Sequence, residues 1–133
     1  MVIIIGILAM IGLPQFFKVA ERARSSEGVS LLGAVRSAEL RYAAGCGVTT
    51  NILAKLDVDM PDTIRYFNAP VPNSIGFDPN DPGNFDALVA TITRNAANNP
   101  GYGAYVLQIR LNGAINCTDA GTSICSTLGY PAP

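Results

Sequence analysis

The first third of the chain changes from an unbroken apolar run to an amphipathic pattern. Residues 1–17 carry no charged side chain, and charges come densely from Lys18 onward. Between residues 31 and 42, apolar side chains recur at the spacing of a helix with one buried face. The pattern therefore predicts one helix over residues 2–44, with a first half that is apolar on every side.

A helix of this length has to protrude from any domain that the rest of the chain can form. At about 1.5 Å per residue it spans about 65 Å, which exceeds a globular domain of about a hundred residues. The buried face of its second half is predicted to comprise Leu31, Ala34, Val35, Ala38 and Tyr42, with Arg22, Arg36 and Arg41 as solvent or subunit contacts.

Three residues of the apolar half predict a point where the helix can bend or melt. Pro14 removes one backbone hydrogen bond, and Gly6 and Gly12 each weaken the helix by about 1 kcal/mol relative to alanine. At the other end, the glycines in Gly45-Cys46-Gly47 are expected to terminate the helix.

The second half of the chain predicts an antiparallel sheet. Residues 87–94 and 104–110 read as strands around a polar turn at 95–101. Asn112-Gly113 is a hairpin signal, and a third strand begins at Ala114. The segment Arg65-Tyr66-Phe67 is a candidate start of a further strand, and residues 129–133 form an unstructured tail or a strap.

These elements predict an α+β fold. A long protruding amino-terminal helix packs by its carboxyl half on an antiparallel sheet of three to four strands. The chain then divides into an apolar protruding half, residues 1–22, and a globular part, residues 23–133.

Composition excludes most catalytic chemistry. The chain has no histidine, so Ser–His and Cys–His pairs are impossible, and no phosphate-binding glycine loop occurs. Asp57, Asp59 and Asp62 are close together, but the glycine and terminal glutamate of a calcium loop are missing. A net charge of −1 offers no basic field for nucleic acid. We therefore expect neither an enzyme nor a cofactor, and no need for nucleic acid.

The cysteines favour one short disulfide. Cys117 and Cys125 bracket a small loop, and an exported domain would keep such a bond. Cys46 is then left over. Pairing of Cys46 with either of the other two remains an alternative.

The amino-terminal residues carry a resemblance to a known family. The stretch GILAMIGLPQF, residues 6–16, followed by Arg22-Ala23-Arg24 and Ser26-Glu27, resembles the first helix of type IV pilins and pseudopilins. The match covers about the first thirty residues, and the rest agrees in organisation.

In that family a short basic leader, a processing site after glycine, a phenylalanine and a glutamate precede this stretch. The chain begins at Met1 inside the apolar run, which leaves a truncated start and a divergent member as alternatives. Leader cleavage, amino-terminal methylation and glutamate-guided registration would all depend on those upstream residues.

The resemblance implies a structural subunit of a type IV pilus-like helical filament. Its partners would be copies of itself, the inner membrane before assembly and the pilus assembly machinery, and its final location a bacterial surface filament. Alternatives are a pseudopilin of a type II secretion system and a membrane-tethered minor pilin in adhesion or DNA uptake. The assembly helix is expected to use Ile3, Ile4, Ile5, Ile7, Leu8, Met10, Ile11 and Leu13.

Overall fold

A computed structural model describes residues 2–76, 81–97 and 102–133. It has one long helix and a four-stranded antiparallel sheet, so the predicted α+β fold is confirmed. The helices are α1, Val2–Cys46, and α2, Ile124–Leu128; the strands are β1, Val71–Pro72, β2, Leu88–Thr93, β3, Tyr105–Arg110, and β4, Ile115–Asp119. Two short 3₁₀ turns cover Leu53–Lys55 and Pro82–Asp86.

The sheet is a simple meander in the order β1-β2-β3-β4. Side chains of β3 alternate between buried and half-buried, as the sequence pattern predicts. The Asn112-Gly113 turn joins β3 to β4: Gly113 has a φ of +90°, and Ala114 N donates to Asn112 Oδ1 at 2.8 Å. Residues 98–101 of the predicted polar turn lie outside the described residues.

The first strand differs from its prediction. The candidate start at Arg65-Tyr66-Phe67 yields only an isolated bridge between Phe67 and Arg94. The strand forms instead at Val71–Pro72, which pairs with Thr91 and Ala90 at the sheet edge. Proline has no backbone N–H to donate to a neighbouring strand. At the edge of a sheet this is tolerated, because no strand lies on the outer side to require the donor.

Helix α1 is continuous from Val2 to Cys46, with Pro14 inside it. It ends as predicted, because Gly47 adopts a φ of +74° and its N–H donates to Ala43 O at 2.7 Å. The prediction that the helix can bend or melt at Gly6, Gly12 and Pro14 concerns the assembled chain and stays a prediction.

The buried face of α1 is centred differently from the prediction. Ala34 is exposed, and Leu31 and Tyr42 are only half-buried. The buried residues of the helix are Glu21, Ser25, Gly28, Leu32, Val35, Ala38, Glu39 and Ala43. Most of these residues are three or four positions apart, which is the spacing of one helix face. Because several of them are polar or glycine, a search for apolar side chains alone does not find this stripe of buried residues.

Two arginines that were interpreted as solvent or subunit contacts instead bind the backbone of the same chain. Arg22 donates through Nε and Nη2 to Leu128 O, and Arg36 donates in the same way to Leu111 O. Arg41 is exposed and pairs with Asp57 at 2.8 Å. Arg22 and Arg36 therefore attach α1 to the rest of the chain at two positions along the helix axis.

The carboxyl terminus runs as a strap along β4. Cys117 N donates to Pro131 O at 2.9 Å, and the Asn116 side chain donates to Ala132 O at 2.8 Å. The predicted disulfide joins Cys117 to Cys125, with 5.5 Å between their Cα atoms, and Cys46 is free and exposed. Bond and strap together hold the last residues against an otherwise open sheet edge.

Loss of the disulfide should destabilise the protein by about 2.5 kcal/mol, because closing a loop this short removes that much conformational freedom from the unfolded chain. The measurement is chemical denaturation of the full chain in detergent, with Cys117→Ser/Cys125→Ser and with reduced wild type. The control Cys46→Ser should match the wild type. Unchanged stability on reduction, or peptide mapping that links Cys46 to either partner, would contradict the expectation.

Candidate functional site

The apolar segment, defined as Val2–Val19, is the largest exposed apolar surface among the described residues. Its side chains are exposed on every side of α1, from 56% for Ile7 and Leu13 to 83% for Val2. The large ones are Val2, Ile3, Ile4, Ile5, Ile7, Leu8, Met10, Ile11, Leu13, Phe16, Phe17 and Val19. An exposed apolar surface of this size is typical of a site that a membrane or another protein covers.

No part of the apolar segment packs on the rest of the chain. A stretch of 18 residues near the start of α1 has a mean hydropathy of 2.1, and none of this stretch is buried. By length and composition, the helix can cross a membrane. A Cβ added to Gly6 or Gly12 would meet no atom within 4 Å. All eight predicted assembly residues, from Ile3 to Leu13, thus lie together on one unpartnered helix half.

The first buried residue of α1 is Glu21, which is completely inaccessible to solvent. Its Oε1 accepts from Arg94 Nε at 2.5 Å and from the Tyr105 hydroxyl at 3.2 Å. Its Oε2 accepts from Arg94 Nη2 and from Arg24 Nη1, both at 3.2 Å. We call these four residues the neck cluster. It is the point where α1 enters the head, the folded part formed by the described residues from Glu21 onward.

The neck cluster keeps Glu21 ionised in spite of its burial. Burial alone would raise the pKa of Glu21, but the hydrogen bonds and charges of Arg94, Arg24 and Tyr105 outweigh it, so the pKa lies below the ordinary 4.5. The same burial, with the Glu21 charge beside it, raises the pKa of Tyr105 far above its usual range. The stability that Glu21 provides is therefore present above pH 4.5 and is lost as the pH falls through its lowered pKa.

Other contacts join the neck to the carboxyl terminus. The Ser25 and Tyr130 hydroxyls lie 3.0 Å apart, and Arg22 binds Leu128 O. Glu21 and Arg22 were assigned to the protruding half of the helix, but their contacts place both with the head. Sequence reasoning missed the cluster because Glu21 and Arg94 are 73 residues apart. The signal for this cluster that the sequence offered was Arg94, a charged residue at the end of the β-rich run 87–94.

A second buried carboxyl lies further along α1. Glu39 is inaccessible to solvent; its Oε2 accepts from Thr50 N at 2.9 Å, and its Oε1 has no hydrogen-bond partner among the described residues. Burial raises the pKa of Glu39, and the bond from Thr50 offsets only part of that effect. An ionised Glu39 therefore opposes folding, unlike Glu21.

Replacing Glu39 with Gln should change how stability depends on pH. The wild-type carboxyl contributes its full stability below pH 4.5, and this contribution is lost as the pH rises through the raised pKa. Gln cannot ionise, so the variant should become progressively more stable relative to the wild type as the pH rises from 4.5 to 7. Denaturation of both proteins at several pH values measures the difference. Parallel stability curves would show that Glu39 does not titrate in this range.

The aspartates of the long connection do not come together as a site. Asp57 is exposed and held by Arg41, and Asp59 and Asp62 are exposed. Within residues 2–76, 81–97 and 102–133, no group of three or more His, Cys, Asp and Glu side chains could hold a metal ion.

The geometry thus singles out two adjacent features, an uncovered apolar segment and a charged neck that fixes its direction. Comparison of the chain with protein-family models, curated proteins and solved structures found no match. The function is therefore argued from the residues and their arrangement.

Proposed function

We propose that the chain is the structural subunit of a type IV pilus-like helical filament, assembled by mutual burial of the apolar segments. The observation that carries this proposal is an apolar helix half, Val2–Val19, that is exposed on all sides and projects from a folded head. The resemblance of residues 6–16 to the first helix of type IV pilins supports the same function.

The apolar segment can supply the assembly energy. Complete burial of one large apolar side chain contributes about 1.5–3 kcal/mol. The twelve large side chains are each more than half exposed. Their burial between neighbouring subunits would give on the order of 10–20 kcal/mol before the entropy of association is subtracted.

An open filament follows if the contacts join unlike faces of the apolar segments. A contact of that kind repeats along an axis and builds a helical filament when its rotation does not close into a ring. The segments would form the filament core and the heads its outer layer. Before assembly the same segment would hold each subunit in the inner membrane, since its length and hydropathy suit a membrane span.

Within this class, the carboxyl-terminal disulfide favours a pilin over the pseudopilin alternative. The Cys117–Cys125 bond closes the loop that leads into α2. By the family resemblance, major pseudopilins stabilise this region with a calcium loop, and pilins with a cysteine loop. A monomeric, membrane-tethered minor pilin would keep the anchor without the fibre.

The test is expression of the full gene in a bacterium that assembles type IV pili and lacks its own major pilin. We expect sheared surface fibres that contain this chain, seen by electron microscopy and by immunoblotting. Membrane-bound chain that forms no fibre, even with overexpression and with a matched assembly system, would favour the tethered alternative and contradict the proposal.

A further inference from the structure

Cations gather at the junction between the apolar segment and the head. Lys18 is the first charge of the chain and is exposed; Arg22 and Arg24 follow within two turns. Arg65 reaches the same level from the long connection, because its guanidinium carbon lies 5.8 Å from the centre of the Tyr66 ring, and that of Arg24 lies 5.2 Å from it. We call Lys18, Arg22, Arg24 and Arg65 the basic collar.

Two carboxylates at this level are already engaged within the protein, whereas Glu27 is half-buried without an ion pair among the described residues. Glu21 is buried against Arg94 and Arg24. Asp119 accepts backbone N–H groups from Gly121 and Cys125. The collar therefore presents net positive charge, although the whole chain has a net charge of −1.

Two exposed carboxylates, Asp57 and Asp86, lie further from the apolar segment. Asp57 pairs with Arg41, which lies on α1 about 30 Å from Glu21 at 1.5 Å per residue. Asp86 pairs with Arg110 close to Leu111, the residue that Arg36 binds. These two carboxylates are thus neutralised by arginines of their own and lie away from the basic collar.

The dimensions of the junction match a membrane interface. Lys18 to Arg24 covers about 9 Å of helix, close to the thickness of one headgroup layer, about 5–8 Å. The exposed rings of Phe16 and Phe17 lie directly below, with centroids 6.1 Å apart, and Tyr66 lies above. Aromatic rings and long basic side chains at the end of an apolar span are typical of residues at the membrane–water interface.

We infer that the basic collar binds the anionic headgroups of the bilayer in which the subunit resides before assembly. This inference rests on the membrane stage of the proposed function. The occupant is an anionic phospholipid, since positive side chains are concentrated beside a segment that only a bilayer or neighbouring subunits can cover. Guanidinium and ammonium groups would contact the lipid phosphates while the apolar segment contacts the acyl chains.

The test uses the full chain in mild non-ionic detergent, supplied with phosphatidylglycerol and phosphatidylcholine in equal amounts. Native mass spectrometry counts the lipids retained. We expect phosphatidylglycerol to be preferred, and Lys18→Gln to lower that preference about fivefold, the effect of one cation near an anionic surface. The control is Lys55→Gln, which removes the other lysine, an exposed residue outside the collar. It should leave the preference unchanged.

Equal retention of the two lipids by the wild type, or an equal loss in both lysine variants, would overturn the inference. So would a Lys18→Gln variant that loses fibres but keeps its lipid preference, because the collar would then act between subunits. Carbonate extraction of cell membranes separates these failures from that of the proposed function. Retention of the chain without lipid preference rejects the collar alone, whereas release of the chain rejects the membrane stage itself.

Discussion

Replacement of Ile7 with Asp should abolish surface filaments. Ile7 is 56% exposed in the isolated subunit and lies within the apolar segment, so assembly would enclose the new carboxylate among apolar side chains. A charge buried without a partner costs several kcal/mol, and the cost recurs in every subunit. Leu8→Asp should behave in the same way.

The measurement is electron microscopy and shearing of cells that lack the wild-type subunit. The matched control is Val71→Asp, which adds the same charge at a 62% exposed position on the edge strand of the head. We expect normal fibres from this control, and a native head in both variants, as judged by the denaturation midpoint in detergent. Normal fibres from Ile7→Asp would mean that the segment is not buried between subunits, and the filament proposal would fail.

Replacement of Arg94 with Met should destabilise the head by about 3–5 kcal/mol, because it leaves the inaccessible carboxylate of Glu21 without its principal partner. The loss should be largest near neutral pH. As the pH falls from 4.5, the ordinary pKa of a glutamate, through the lowered pKa of Glu21, the wild type itself loses the stability that Glu21 provides, so the difference between the two proteins should narrow. Chemical denaturation followed by circular dichroism measures both effects.

Two comparisons make this expectation specific. The double variant Glu21→Leu/Arg94→Met should be less destabilised than the sum of its single changes, since neither charge is left alone. Arg41→Met should leave the stability almost unchanged, because the Arg41–Asp57 pair is exposed and screened by solvent. A loss for Arg94→Met as small as that for Arg41→Met would show that the neck cluster does not fix α1 to the head.

The sequence by itself determined the features that depend on neighbouring residues. The extent and end of α1 follow from periodicity and from Gly47, and the turn at Asn112-Gly113 follows from its residue types. The Cys117–Cys125 pair is close along the chain, so its preference over Cys46 could be argued from spacing. In each of these cases a few consecutive side chains restrict the backbone directly.

Only the tertiary structure decided which polar residues are buried. Glu21 and Glu39 occupy the same stripe of α1, yet one meets an arginine from the end of β2 and the other a single backbone N–H. The strand at Val71–Pro72 likewise forms where β2 offers an edge, without a sequence pattern of its own. Partners that are far apart along the chain meet only when the sheet and helix pack together. For that reason, the opposite effects of the two glutamates on stability cannot be derived from periodicity.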